Sequence, residues 1–175
     1  MTVQLPAAVV AAGTWSVSDS RTRVTFAVGS LGRPVHGSLA CRWGELEVDE
    51  AGTPRRVSAE LDLDSIDTGI ARRDADLRKP GLLDIDRHPT MTWSADRITP
   101  DEDGRWSADG VLHVRGTSTP LTVTGSAEPT AHGWLHVRAA AVLDRTSVGI
   151  RAPRLLIGRT VAIDLDAWLS CRSPG

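Results

Sequence analysis

The 175-residue sequence is poor in cysteine, lysine, tyrosine and phenylalanine. It contains no tyrosine, one phenylalanine, one lysine and only two cysteines, Cys41 and Cys171. Neither cysteine lies in a CxxC motif or beside a histidine cluster, so both are interpreted as buried, reduced thiols. The net charge is −2, from 20 Lys+Arg and 22 Asp+Glu. A balance this even provides no strong field that favours a nucleic acid or an anionic membrane surface.

Catalytic signature motifs are missing as well. The sequence contains no GxSxG, HExxH, GxxxxGK[ST] or GxGxxG pattern. These motifs hold the reacting groups of many hydrolases, zinc proteases, nucleotide triphosphatases and dinucleotide-dependent enzymes. We therefore predict no catalytic residue, no metal and no cofactor.

Long hydrophobic runs are absent too. Residues 1–13 contain a short Ala/Val run without a basic region before it, and no run reaches the roughly 18 residues of a membrane span. We therefore expect a cytoplasmic protein without a membrane span. Residues 1–13 are interpreted as an N-terminal extension and residues 14–175 as a single domain.

What the sequence does have is alternation of apolar and polar residues with a period of two, which is typical of half-buried strands. Turn-forming residues such as Asp101–Gly104 and Gly116–Pro120 separate the alternating runs. About eight such strands predict an all-β domain, either a β-sandwich or an up-and-down barrel. The clearest runs are 24–28, 57–64, 112–115, 121–124 and 161–167.

One segment, residues 65–89, breaks this alternation. Asp67 or Thr68 is placed to cap a short helix over Ala71–Arg78, which Lys79–Gly81 would end. An apolar patch follows, at Leu82, Leu83 and Ile85. A helix inserted between barrel strands usually covers one end of the barrel.

Three stretches resemble the YceI-like family of polyisoprenoid-binding, lipocalin-like barrel proteins. The longest is 65–93, with Ser-Ile-Asp-Thr, Arg-Asp-x-x-Leu, Leu-Leu-Asp and His-Pro; the others are 110–123 and 143–150 with the closing strand 161–169. The resemblance implies an eight-stranded antiparallel barrel with a short helical lid insertion around residues 68–86. It also implies an apolar tunnel for a polyisoprenoid and no catalytic residue.

Strand phase and the lid together predict the residues that line the tunnel. Arg73 is a candidate contact for a ligand head group, because a guanidinium offers paired donors to phosphate. The alternative is that Arg73 or Arg72 forms a helix ion pair or a loop anchor with Asp74 or Asp84. The predicted lining residues are Val24, Phe26, Val28, Leu39, Leu61, Leu63, Leu82, Leu83, Met91, Trp93, Leu112, Val114, Leu121, Val123, Leu155 and Leu165.

Three functions follow from this fold. The leading hypothesis is binding, storage or transport of a polyisoprenoid or similar long-chain lipid. The second is an enzyme that transforms an isoprenoid-like substrate in the cavity, with His36 or Asp67 as its acid or base. The third is a structural protein with a solid core that dimerises; a homodimer is also expected of a lipid-binding barrel.

Overall fold

The computed structural model describes residues 10–152 and 157–172, and most of these residues lie in strands. One α-helix, α1 (Ala71–Leu77), interrupts them, and 3-10 turns cover Asp19–Arg21 and Arg145–Val148. No helix in these ranges is long and apolar enough to cross a membrane. The strands are β1 (Gly13–Val17), β2 (Arg23–Ser30), β3 (Arg33–Val48), β4 (Pro54–Asp67), β5 (Thr90–Pro100), β6 (Trp106–Val114), β7 (Thr117–Pro129), β8 (Trp134–Asp144) and β9 (Thr160–Arg172).

The nine strands close into an eight-stranded antiparallel barrel. Strands β2 to β9 pair in the order β3-β2-β9-β8-β7-β6-β5-β4, and β4 pairs back onto β3. The short β1 continues the position of β2, because both lie between β3 and β9: Trp15 pairs with Cys171, and Phe26 pairs with Ile163. The predicted barrel is therefore confirmed, and the sandwich is not the fold.

Alternate residues of each strand point into the barrel, as their apolar phase requires. Two hydrophobic clusters result, one near the lid around Leu63 and Leu112, the other at the far end around Trp15 and Leu135. Gly37 is needed on this inner face, because a Cβ there would collide with the ring of Phe26. The barrel wall thus accommodates aromatic rings beside residues without side chains.

The connection between β4 and β5 forms the predicted lid, but its helix starts differently from the prediction. The N-cap is Ile70, which makes no side-chain capping bond. Thr68 instead donates from its backbone N and its Oγ1 to the carboxylate of Asp74, at 3.1 and 2.5 Å. Asp67 accepts from the backbone N of Gly69 at 2.8 Å. The predicted cap at Asp67 or Thr68 was wrong, because both side chains are used in the turn before the helix.

Several contacts fasten the lid to the barrel. Arg78 bridges Asp64 on β4 and Asp86 in the lid, at 2.6 and 2.8 Å. Arg115, in the β6–β7 turn, donates to the carbonyl of Pro80 at 2.6 Å. Ile85, only 1% exposed, anchors the lid in the hydrophobic cluster beneath it. The lid is a packed part of the fold with one apolar side facing the barrel interior.

Candidate functional site

Among the residues that the structure describes, three cavities lie in a row inside the barrel. The lid chamber, next to the helix, has a volume of about 310 Å³. The middle chamber has about 120 Å³ and the far chamber, toward β1, about 140 Å³. Neighbouring chambers share walls: Leu61 and Met91 border the lid and middle chambers, and Trp93 and Leu165 border the middle and far chambers. The interior is therefore hollow along the barrel axis, unlike the solid core of the third hypothesis.

The structure brings most of the predicted lining residues together around these chambers. Trp93 is held there by a 3.0 Å hydrogen bond from its indole Nε1 to the carbonyl of Leu121. The lid chamber is lined by the predicted Val24, Phe26, Val28, Leu39, Leu61, Leu63, Leu82, Leu83 and Met91. The middle chamber adds Trp93, Leu112, Leu121, Val123 and Leu165.

Two predicted residues are not in these walls. Val114 is buried, 3% exposed, in the hydrophobic cluster near the lid, but it lines none of the three chambers. It is the last residue of β6, where the strand turns back into β7. Leu155 lies outside the described residues.

The sequence analysis missed lining residues of two kinds. Ile150 and Ile157 line the lid chamber from the connection between β8 and β9, which has no strand periodicity to reveal them. The middle and far chambers are left unfilled because small residues face inward there. Ala59 and Ala139, for example, border both chambers. Alanine on an inner strand face is the signal that could have located this space.

Arg145 is a buried cation at the lid end. It is 3% exposed and lines the lid chamber. Its Nε donates to the carbonyl of Gly158 at 2.8 Å, and its Nη1 to that of Ile150 at 2.9 Å. Its Nη2 donates to the carbonyls of Ala152 and Ile157, both at 3.0 Å. Because all four acceptors are neutral, its hydrogen bonds are satisfied while its positive charge is not neutralised by a carboxylate.

Arg73, the predicted head-group contact, also lines the lid chamber. Its Nε and Nη2 donate to Oγ1 and the carbonyl of Thr68, at 2.8 and 2.7 Å. Within residues 10–152 and 157–172, Arg73 forms no ion pair with Asp74 or Asp84, which was the alternative. Arg73 and Arg145 therefore line the lid chamber together with one carboxylate, Asp76, whereas the rest of its wall is mainly apolar.

The two candidate acid or base groups are not in the chambers. His36 and Asp67 are both exposed and border none of the three cavities. Two other carboxylates do border them: Asp76, which pairs with Lys79 at 2.7 Å, lines the lid chamber, and Glu45 lines the far chamber. The described part of the chain holds no group of three or more His, Cys, Asp or Glu side chains that could bind a metal.

Cys41 borders the far chamber, and burial raises the pKa of its thiol to about 11. Its Sγ donates to the carbonyl of Trp43 at 3.3 Å. Only about one Cys41 thiol in a thousand is ionised at pH 8, and the thiolate is the form that reacts.

In a disulfide-reagent titration of the native protein at pH 8, we expect Cys171 to react and Cys41 to stay protected until denaturant is added. The Cys41→Ser variant should give the same native titre; equal reaction rates for both native thiols would contradict the prediction.

Comparison with known proteins identifies the family of this barrel. The family model described as the YceI-like domain matches residues 15–169. The chain belongs to the YceI-like family. Curated relatives of this YceI-like chain include UPF0312 proteins of Ectopseudomonas mendocina, 26% identical over 102 residues, and of Pectobacterium atrosepticum, 27% identical over 100 residues. These matches cover 57% and 56% of this chain and 53% and 52% of the relatives, so the chain spans about half the length of the curated relatives it matches.

Solved structures share the same fold at low identity. BcnA of Burkholderia cenocepacia superposes with a TM-score of 0.78 at 14% identity, over 87% of this YceI-like chain and 98% of BcnA. A polyisoprenoid-binding domain from Saccharophagus degradans, implicated in plant cell wall breakdown, gives 0.70 at 13% identity, over 90% and 98% of the two chains. These likenesses identify the barrel architecture shared across the family.

Proposed function

We propose that this YceI-like protein binds one long-chain apolar lipid, a polyisoprenoid or a similar chain, and stores or carries it without transforming it. The observation that carries this proposal is the row of three chambers with shared apolar walls inside a closed barrel. Burying apolar ligand surface contributes about 25 cal/mol per Å². A chain of several isoprene units can therefore be held by burial alone, without polar anchors along its length.

The predicted lining residues are proposed to contact the chain. Leu61 and Met91 would hold it where it passes from the lid chamber into the middle chamber, and Trp93 where it passes into the far chamber. The polar head would lie at the lid end, near Arg73 and Arg145, because their guanidinium groups line that wall, whereas Asp76 in the same wall is paired with Lys79 at 2.7 Å. A carboxylate or phosphate head would supply the negative charge that Arg145 lacks.

The neighbouring polyisoprenoid-binding domain supports a lipid as the ligand, and the exposed positions of His36 and Asp67 speak against catalysis in the chambers. Residence in the cytoplasm and assembly into a homodimer stay predictions from the sequence.

The test is the content of the purified protein. Native mass spectrometry should show the chain with one additional mass, and organic extraction should release a single class of long-chain lipid whose head group can be identified. An anionic head would support the placement at Arg73 and Arg145, and a neutral one would contradict it. A protein that carries no lipid, and that takes up none from a fluorescent long-chain isoprenoid in titration, would contradict the proposed function.

A further inference from the structure

Leu31 is an aliphatic residue in a turn that favours asparagine. The turn between β2 and β3 has two residues, Leu31 and Gly32, with φ of 49° and 77°. Two consecutive residues with positive φ in a hairpin favour Asn-Gly, and leucine is strained there. The Leu31 side chain is nevertheless 71% exposed to solvent. Nothing in the local structure therefore accounts for a leucine at this tip.

Ile70 shows the same contradiction at the start of the lid helix. It is the N-cap of α1, with φ −128° and ψ 109°, and no side-chain oxygen caps the helix. Serine, threonine, aspartate and asparagine are strongly preferred at this position over isoleucine. The Ile70 side chain is 52% exposed. Positions that break a local rule without a local gain are expected at functional surfaces.

Both residues lie on the rim of the lid chamber. Ser30, next to Leu31 in the chain, lines that chamber, and so do Thr68 and Arg73 on either side of Ile70. The other large hydrophobic residues exposed in the described ranges are Trp43, Val111 and Val142, on strands β3, β6 and β8. Two of the five exposed large hydrophobic residues, Leu31 and Ile70, thus lie at the end of the barrel that holds the lid chamber.

The same rim carries three exposed arginines. Arg33 follows the β2–β3 turn, Arg72 lies two residues after Ile70 in the helix, and Arg151 donates its backbone N to the carbonyl of Gly81 in the lid at 3.2 Å. None of them belongs to the ion pairs of the described chain. Two carboxylates lie near them: Asp67 accepts from the backbone of Gly69, and Asp76 pairs with Lys79 at 2.7 Å and has its pKa lowered chiefly by Lys79 and also by Arg72.

We propose that this rim docks onto the surface of an anionic lipid bilayer. Leu31 and Ile70 would enter the boundary between head groups and acyl chains, and the three arginines would contact anionic head groups, as at other interfacial protein surfaces. The lid chamber then opens toward the bilayer. Docking to the bilayer is inferred from the exposed residues alone. Transfer of a bound lipid at the docked rim rests on the proposed function.

The experiment is co-sedimentation of the full chain with phosphatidylcholine vesicles, with and without phosphatidylglycerol. We expect binding to the anionic vesicles that weakens as salt is added, because the arginines lie at an exposed surface. The double variant Leu31→Asn/Ile70→Ser should lose at least about tenfold in vesicle affinity, since two aliphatic side chains no longer leave water. Its Tm should stay unchanged or rise, because each substitution supplies the residue that the turn or the cap prefers.

The control is Val142→Thr, which removes an equally exposed aliphatic side chain, 65% exposed, from the outer face of β8. It should bind anionic vesicles like the wild type. The proposal is overturned if the double variant sediments like the wild type, if Val142→Thr loses as much, or if the wild type does not bind anionic vesicles at low salt. It is also overturned if the wild type is a dimer that binds no vesicles and the rim substitutions dissociate that dimer. The rim would then contact a second copy of the chain and not a bilayer.

Extraction of lipid from the same samples separates this inference from the proposed function. A wild type that carries lipid but ignores vesicles overturns the docking alone. A wild type that binds vesicles through Leu31 and Ile70 but holds no lipid supports the docking and contradicts the proposed function.

Discussion

Replacing Arg145 by methionine should lower the free energy of unfolding by about 3 kcal/mol or more, because four carbonyl groups lose a charged donor in a buried place. Methionine keeps much of the aliphatic volume, so packing changes little. Urea denaturation at pH 7, followed by circular dichroism, measures the difference. Arg145→Lys should show most of the same loss, since an ammonium cannot reproduce the planar spread of donors.

Arg159→Gln provides the matched control in the same connection. Arg159 is 57% exposed and pairs with Asp144 at 2.7 Å. An exposed ion pair of this kind contributes less than about 1 kcal/mol, so this variant should unfold close to the wild type. If Arg145→Met proved as stable as Arg159→Gln, the four carbonyl bonds would not be what holds the connection over the barrel end.

The strands could be predicted because burial of one face imposes a period of two on the sequence. Val57, Leu61 and Leu63 on β4 show this period of two clearly, and the lid segment that follows β4 lacks it. Closure of the sheet could not be predicted in the same way. It depends on β4 pairing back onto β3, for example Leu46 with Val57, and no local pattern separates that pairing from a sandwich.

The candidate site was predictable where large apolar residues face inward, as at Leu61 and Met91. It was not predictable where the wall is a connection, as at Ile150, or where the cavity exists because a side chain is small, as at Ala139. A hydrophobic pattern records which faces are apolar, whereas a cavity depends on the volume that those faces leave unfilled.

Local rules failed at Leu31 and Ile70 for a different reason. Turn and cap preferences predict a polar residue at each position, and each holds an exposed aliphatic one. Where a local preference is overridden without a packing gain, selection for an external contact is the physical account, and it links these two exceptions to the rim of the lid chamber.

A larger side chain in the middle chamber should shorten the lipid that the protein binds. Ala139 faces inward on β8, where it pairs with Gly125 and Leu165, and it borders both the middle and the far chamber. An apolar cavity of about 150 Å³ holds a benzene molecule. The ring introduced by Ala139→Phe should therefore occupy most of the 120 Å³ middle chamber and block the passage to the far chamber.

A lipid confined to the lid chamber loses about 0.8 kcal/mol for each methylene group that returns to water, so loss of two or three groups lowers affinity about tenfold or more. Extracts of Ala139→Phe should accordingly contain shorter chains or much less lipid, and Ala139→Leu should give an intermediate result. The Tm of both variants should not fall below that of the wild type by more than a few degrees, because an apolar group fills an apolar space.

Val142→Phe is the control on the same strand, since Val142 points outward and is 65% exposed. It adds the same ring without entering the tunnel and should leave the extracted lipid unchanged. If Ala139→Phe and Ala139→Leu both carried lipid of wild-type chain length and amount, the cargo would not extend beyond the lid chamber. The three cavities would then not act as one tunnel, and the ligand would be limited to what the 310 Å³ beside the lid can enclose.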